Sequence, residues 1–394
     1  MKGPLLVINA GSSSLKFETF DVADGPPRRV LRGQIERLAS SAPHFIARDA
    51  EAVIADRALG AGEDPEAMLL AWLGEHGGGA PCAVGHRVVH GGVRHTGPAL
   101  VDDALLAELD TLSPLAPLHQ PHNLGAIRRL RAHMPGLPQV ACFDTSFHRG
   151  HPEVADRFAL PEALFVKGVR RYGFHGLSYA WIAARFAEMD PSLAAGRVIA
   201  AHLGSGCSAC AMIGGRSVDS TMGFTALDGL VMGTRPGQLD AGVVLYLMQQ
   251  GMDAAAIERV LYHESGLKGL SGISGDVRDL LADGGVRARL ALDVFVYRAA
   301  GAFATLAAAM GGVDAVIFTA GIGENAPEIR SAIAARCAWL GLSLDDARNA
   351  AHGPLISAVG SKVAAYVIPT DEEATIARET LSVLAARRVA PAAG

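Results

Sequence analysis

Five side chains able to do polar chemistry, Arg87, Asp144, His175, Arg235 and Glu372, each stand beside glycine or at the end of an apolar run. Transfer of a γ-phosphoryl group needs such a set: cations for the equatorial oxygens, a carboxylate for Mg²⁺, and groups that hold the acceptor in line. Taken singly, each also fits a surface ion pair or a hydrogen-bonded histidine. A sixth feature lies in residues 5–17, where the run Leu5, Leu6, Val7, Ile8 breaks into Asn9, Gly11, Ser12, Ser13, Ser14 and Lys16 before apolar residues resume at Phe17. Small side chains, exposed backbone N–H groups, three hydroxyls and one ammonium suit a phosphate. An ordinary Gly/Ser hairpin turn explains the same stretch.

No G-x-x-x-x-G-K-[ST] loop and no protein-kinase catalytic loop occurs. Residues 321–326 fit G-x-G-x-x-A between a strand and a helix, with Asp345 and Asp346 further on, as in a dinucleotide fold. Such a unit usually opens its domain, and a glycine turn that packs a helix against adenosine accounts for the same residues. His86, His90, His95, His119 and His122 raise a zinc or di-metal hydrolase, but none forms a recognised ligand spacing. Cys207 and Cys210 form one C-x-x-C without a second pair, and five cysteines in all fit reduced thiols in a cytoplasm.

The elements that must position these residues read as α/β. Residues 5–20 form a strand, turn and strand, and 66–74 a helix. A strand at 82–89 delivers Arg87 and His90 to Gly91 and Gly92. Residues 105–112 are helical, Pro114, Pro117 and Pro121 frame a rigid loop carrying His119 and His122, and 123–133 form a helix whose Arg128, Arg129 and Arg131 face solvent. A strand at 139–143 ends at Asp144, a common place for site chemistry in α/β sheets. The polar loop 149–157 is a candidate boundary, and 172–176 leads into a helix at 179–188. A strand at 198–201 runs into His202, Leu203, Gly204, Ser205 and Gly206, repeating the opening device, with Gly204 and Ser205 aligned on Gly11 and Ser12. Further on come a helix at 254–265, a Gly/Ser loop at 269–278, a helix at 287–310, a strand at 313–320 entering Gly321, a strand at 363–368 and a last helix at 374–387.

With 394 residues, two domains are expected, and 50% hydrophobic content is ample for both. A net charge of −5 without a Lys/Arg-rich run argues against nucleic acid or an anionic membrane as partner. Residues 294–318 contain Arg298 and Asp314 and read as a core helix and strand, not a membrane span. The opening residues read as neither signal nor transit peptide, giving a cytoplasmic expectation.

In order along the chain, residues 9–17, 86–92, 115–119, 143–148, 170–176, 202–206, 233–235, 321–325 and 369–373 resemble the acetate kinase family, of the superfamily of acetate and sugar kinases, Hsc70 and actin. The resemblance spans essentially the whole chain. It implies two duplicated RNase H-like (actin-like ATPase) domains with a central interdomain cleft: residues 1–148 plus 373–394, and residues 149–372, the second carrying nucleotide binding and dimerisation. It implies reversible transfer of the ATP γ-phosphoryl group to acetate, giving acetyl phosphate and ADP, in a homodimer using Mg²⁺, with Mn²⁺ as a substitute. By resemblance, Asn9 and Glu372 position the metal, and Ser12, Ser14, Lys16, 202–206, Asp276, Val277, Arg278, Gly321, Ile322, Gly323, Glu324 and Asn325 line the nucleotide site. Arg87 and Arg235 hold the carboxylate and the moving phosphoryl group, His175 stabilises the transition state, and Val89, Leu118, His119 and Phe174 surround the substrate. Acetate is already ionised at neutral pH and needs no base. Asp144, the family's acid/base residue, is therefore expected to orient an arginine or metal-bound water. Alanine at Arg87 or Arg235 is expected to abolish most turnover with the fold intact.

Five departures stand out: Ser205 where the family has Asn, Ala226 where it has Pro, Asp228 where it has Glu, and Leu177 and Tyr179 in place of polar residues. Ala226 removes pocket wall, so a propionate or other short-chain carboxylate kinase is the alternative within the class. An ATP-driven conformational protein like actin or Hsp70 is the alternative outside it, although the short stretch after Glu372 leaves no room for an appended peptide-binding domain.

Overall fold

The computed structural model describes residues 3–11, 14–38, 43–60 and 62–389, so Ser12 and Ser13 of the opening turn lie outside the described residues. The chain divides into two units, Met1–Arg149 with Asp371–Gly394, and Gly150–Thr370.

The first unit is built on an eight-stranded sheet: β1 (Leu5–Ala10), β2 (Ser14–Asp21), β3 (Arg28–Glu36), β4 (His44–Arg48), β5 (Val53–Ala58), β6 (Ala83–Val88), β7 (Ala99–Leu100) and β8 (Gln139–Phe143). Their spatial order is β5-β4-β3-β2-β1-β6-β8-β7, with β1 to β5 an antiparallel meander and β1, β6 and β8 parallel. Leu5, Leu6, Val7 and Ile8 are at most 1% exposed because a central parallel strand is covered on both faces. The helices Pro65–His76 and Gln120–His133 bury Leu69, Leu73, Ala126 and Leu130 against Ile8, Phe17, Ile35 and Phe45. The last helix, Glu372–Val389, packs on β1, β6 and β8. Gly85 permits that approach, since a Cβ there would sit 2.4 Å from Thr380 Oγ1 and 2.6 Å from Ile376 Cγ2.

The second unit carries β9 (Arg197–Leu203), β10 (Cys207–Ile213), β11 (Arg216–Ser220), β12 (Ala315–Thr319) and β13 (Ala364–Val367), ordered β11-β10-β9-β12-β13. Strands β9 to β11 are antiparallel, and β9, β12 and β13 parallel. This is the plan of β3-β2-β1-β6-β8 over again, three antiparallel strands followed by two parallel ones. Gly11 and Gly204 occupy the corresponding turns between first and second strands, so the weak internal repeat marks a duplicated actin-like ATPase fold. The helix Val286–Met310 is long and apolar enough to cross a membrane, but it buries Phe295, Val296, Phe303 and Leu306 and packs on β10 and on the helices Gly266–Ser271 and Pro327–Arg336.

Four local expectations are corrected. The proline-framed loop ends early: His119 precedes the helix Gln120–His133, and His122 lies inside it, because Pro121 fills a first-turn position whose missing N–H has no intrahelical acceptor anyway. Arg128, Arg129 and Arg131 are paired and not merely solvated, with Asp110, Asp103 and, most deeply, Glu66, which is 2% exposed and 2.6 Å from Arg129. The 269–278 loop is interrupted by helices at Gly266–Ser271 and Val277–Asp283, the latter capped by Asp276. Residues 321–325 belong to a short helix, Ala320–Asn325, and not to an open glycine turn.

Candidate active site

In the first unit the site residues collect at the carboxyl ends of the parallel strands β1, β6 and β8. Asn9 faces Lys16 directly across the β1–β2 pair, which puts both on one face of the sheet. Arg87 is the penultimate residue of β6, and Asp144 follows β8. The two form a bidentate pair, Arg87 Nε donating to Asp144 Oδ1 at 3.1 Å and Nη2 to Oδ2 at 2.6 Å. The guanidinium also reaches Asn9 Oδ1 at 3.4 Å and Glu372 Oε2 at 3.8 Å. With its side chain 2% exposed and both oxygens engaged, Asp144 has the geometry of an anchor for Arg87.

Burial pushes the Glu372 carboxyl up to about 7; Arg87 opposes this, while the charges of Asp144 and Glu373 reinforce it. The Glu372 carboxylate and the Asn9 amide oxygen are hard donors of the kind Mg²⁺ takes alongside substrate phosphates, and a dication would offset the repulsion between Glu372 and the neighbouring acids. Mg²⁺ therefore fits the residues present. Among the described residues no three His, Cys, Asp or Glu side chains gather as metal ligands.

The loop after β6 is held by residues that the sequence reading missed. Asn123 Oδ1 accepts from the Val89 N–H at 3.1 Å while its Nδ2 donates to Ala10 O at 2.6 Å, tying this loop to the end of β1. Gln120 brackets His90 in the same way, and Thr145 Oγ1 accepts from Gly91 N–H. Polar residues on the buried side of a helix, at 120 and 123, were the available signal. Leu118, in the turn before that helix, is half-buried. Of the candidate metal histidines, His90 Nδ1 accepts from the Gly92 N–H, and burial with the nearby Arg149 pushes its pKa down to about 3. Burial brings His86, bonded to Gln139, down to about 4.

In the second unit the site again lies at strand ends. His202 and Leu203 close β9, and Gly204, Ser205 and Gly206 form the turn into β10. His175 precedes the helix Gly176–Met189 at φ 57°, ψ 24°, a left-handed conformation that histidine adopts more readily than most residues. Its Nδ1 lies 2.8 Å from Ser208 Oγ, which also bonds the hydroxyl of buried Tyr179. Its ring stacks on that of His202, centroids 4.1 Å apart, and His202 Nδ1 lies 2.9 Å from Ser178 Oγ. Arg235 packs on the same turn: a Cβ on Gly206 would be 2.7 Å from Arg235 Nη2 and 3.4 Å from His175 Nε2. Arg235 Nη1 donates to Ala226 O at 2.7 Å, and among the described residues no carboxylate pairs with it. Burial lowers its pKa, against a weaker opposing influence of Cys207 and Tyr262. A half-buried guanidinium in that state, beside glycine and an imidazole, is suited to receive an anion.

The remaining nucleotide candidates divide. Ala320–Asn325 follows β12, next to β9, and Gly204 faces Ala320. Glu324 Oε1 accepts from the Ala320 and Thr370 N–H groups, so its carboxylate closes the start of its own helix. Fully buried Arg330 caps that helix's other end through Gly323 O and Glu324 O, another residue the sequence reading passed over. Phe174 is buried beside the 221–229 loop, where Tyr172 and Gly173 N–H groups meet Gly223 O. Asp276 and Arg278 pair with each other at an exposed helix start, with Val277 buried between them. Asp228 pairs with Arg171, and Ser205 is exposed with its carbonyl accepting from Gly233 N–H. Cys207 and Cys210 lie three apart on a strand, hence on opposite faces, and burial pushes both thiols up to about 12.

The acetokinase family model matches residues 4–378. An acetate kinase from Nitrobacter hamburgensis is 53% identical over 388 residues, covering 96% of this chain and 96% of that protein. Among solved structures, the acetate kinase of Porphyromonas gingivalis superposes with a TM-score of 0.87 at 36% identity, covering 97% of this chain and 100% of that one. A propionate kinase from Francisella tularensis superposes with a TM-score of 0.91 at 36% identity, covering 96% and 99%.

Proposed function

Because this chain belongs to the acetokinase family and is a kinase that phosphorylates a carboxylate, we propose that its acceptor is acetate and its donor ATP. The reaction is a reversible, direct in-line displacement that gives acetyl phosphate and ADP. The observation that carries the reading is Arg235, a half-buried guanidinium with no carboxylate partner, set on the Gly206 turn beside His175.

In this reading Arg87, held flat by Asp144, binds the carboxylate, and Val89, Leu118, His119 and Phe174 surround the methyl group. Asp144 moves no proton: the acetate oxygen is ionised, and both Asp144 oxygens are committed to Arg87. His175 and Arg235 meet the charge that gathers on the transferring phosphoryl oxygens. Lys16, Ser12, Ser14, residues 202–206, 276–278 and 321–325 hold the nucleotide. Asn9 and Glu372 would hold Mg²⁺, which when bound neutralises phosphate charge.

The test is to trap acyl phosphate with hydroxylamine while varying acetate, propionate and butyrate at fixed Mg²⁺ and ATP. Hydroxamate from acetate above the others is expected. No hydroxamate from any acid would sink the reading, and a clear preference for propionate would relabel the enzyme. Ala226 favours keeping that second reading in view: its carbonyl serves Arg235 as a proline carbonyl would, but its side chain supplies less wall. One methylene is worth only about 1–3 kcal/mol of discrimination in such a pocket.

All five cysteines are free thiols, which supports a cytoplasmic setting. A second copy of this chain is the proposed partner. The helix Ala241–Gln249 has no buried residue, and Leu245, Tyr246 and Met248 are 60%, 58% and 56% exposed. Light scattering should give a dimer that Leu245→Glu with Tyr246→Lys converts to monomer. A monomeric parent would remove the proposal.

A further inference from the structure

Resting on the reading of Arg87 and Val89 as the groups that bind the acid, we propose that Asn123 is a positioning residue for that acid. Its carboxamide replaces a rung of the parallel sheet and so fixes the gap between the strand ends that carry Asn9 and Arg87. The backbone shows where that rung belongs. The register pairs β1 with β6 from Leu5–Ala83 to Ile8–His86 and stops there. Gly11 N–H bonds back to Ser14 O, so the alternation of an antiparallel pair turns the polar backbone groups of Ala10 away from β2 and toward β6. Val88 O takes the Asp144 N–H on the β8 side, which turns the N–H of Val89 the other way, toward β1. Continued without a break, the ladder would join Val89 N–H to Ala10 O.

Asn123 stands in that place. Its Oδ1 accepts from Val89 N–H at 3.1 Å and its Nδ2 donates to Ala10 O at 2.6 Å. A backbone N–H can only donate and a carbonyl only accept, so the partners fix the orientation of the amide. Both backbone groups, on residues at most 6% exposed, are thereby satisfied. Strands that a direct rung would hold ~4.8 Å apart are instead held open by the width of an amide. The wedge is firmly seated, since Asn123 is 3% exposed and its helix buries Leu124, Ile127 and Leu130 in the cores beside it. At the mouth of the gap Arg87 Nη1 donates to Asn9 Oδ1 at 3.4 Å, so its width sets how the acid-binding guanidinium lies against the metal-side strand.

The experiment is steady-state kinetics by hydroxamate trapping on two variants. Asn123→Ala deletes the wedge, and Asn123→Asp keeps its shape and the acceptor for Val89 but sets an oxygen against Ala10 O. Both are expected to raise KM for acetate about fivefold or more and to lower kcat about tenfold, with KM for ATP within about twofold of the parent, because the misplacement falls on the acid. A purely structural loss would reduce the amount of active enzyme and leave KM for acetate where it was. Parental KM for acetate in both variants, or in the one that folds, overturns the proposal. Should neither fold, residue-resolved amide exchange in the parent decides. Val89 N–H is then expected to be protected like the core of β6, and exchange as fast as that of an exposed loop amide overturns the wedge. A parent that gives no hydroxamate with any acid defeats the kinase reading itself, which is a separate outcome.

Discussion

Arg235→Ala is expected to lower kcat/KM by about a thousandfold or more while leaving thermal stability almost unchanged. The activity loss follows from chemistry: an arginine on a transferring phosphoryl group acts on charge that is most concentrated in the transition state, and about a thousandfold corresponds to roughly 4 kcal/mol. The small stability effect follows from geometry. Among the described residues the Arg235 side chain makes one hydrogen bond, to Ala226 O, and no carboxylate loses a partner when it goes. Losing one such bond costs on the order of 1 kcal/mol. Arg235→Lys should recover little, since a point ammonium cannot both reach the carbonyl and present a fork to the phosphate. Steady-state kinetics beside a thermal melt decide it: turnover within about tenfold of the parent would mean that Arg235 does not touch the reacting group.

Arg87→Ala should also lose most activity, but at a cost in stability that the sequence did not foretell. Removing the guanidinium leaves Asp144, 2% exposed at its side chain, unpaired next to Glu372. Breaking a buried ion pair by deleting one partner costs about 3–5 kcal/mol. The expectation of an intact fold for both arginine variants is therefore kept for Arg235 and revised for Arg87. Arg87→Ala with Asp144→Asn should regain most of the lost melting temperature, because the uncompensated charge is gone, and none of the activity. A single Arg87→Ala variant as stable as the parent would show that Asp144 does not depend on this pair, and recovered turnover in the double variant would deny Arg87 its substrate role.

The contrast shows where sequence reading stops. Glycine beside a cation was enough to single out Arg87 and Arg235, because a backbone that must approach a ligand closely leaves that mark locally. Glu324 carried the same local mark, yet its carboxylate caps Ala320 and Thr370, a role invisible without the neighbouring strand. Tyr179 and Leu177 had no assignable role from sequence, and the tyrosine joined His175 only through Ser208 on another element. Asn123 and Gln120 went unnoticed because their partners, Val89 and His90, lie some thirty positions away. The two opening strands pair antiparallel as read, with Asn9 and Lys16 brought face to face. The π-helical turn Val260–Glu264 had no signal that distinguished it from the α-helix it continues.

By itself the sequence determined the α/β class, the paired strand-and-turn devices at Gly11 and Gly204, and the residues worth watching, because periodicity and glycine placement are local properties. Only the tertiary structure decided that Arg87 and Asp144, 57 positions apart, form one bidentate pair, and that His175 and Ser208, 33 apart, are hydrogen-bonded. Parallel strands pair across long crossovers, so their carboxyl ends, and the side chains carried there, meet only once the sheet is assembled.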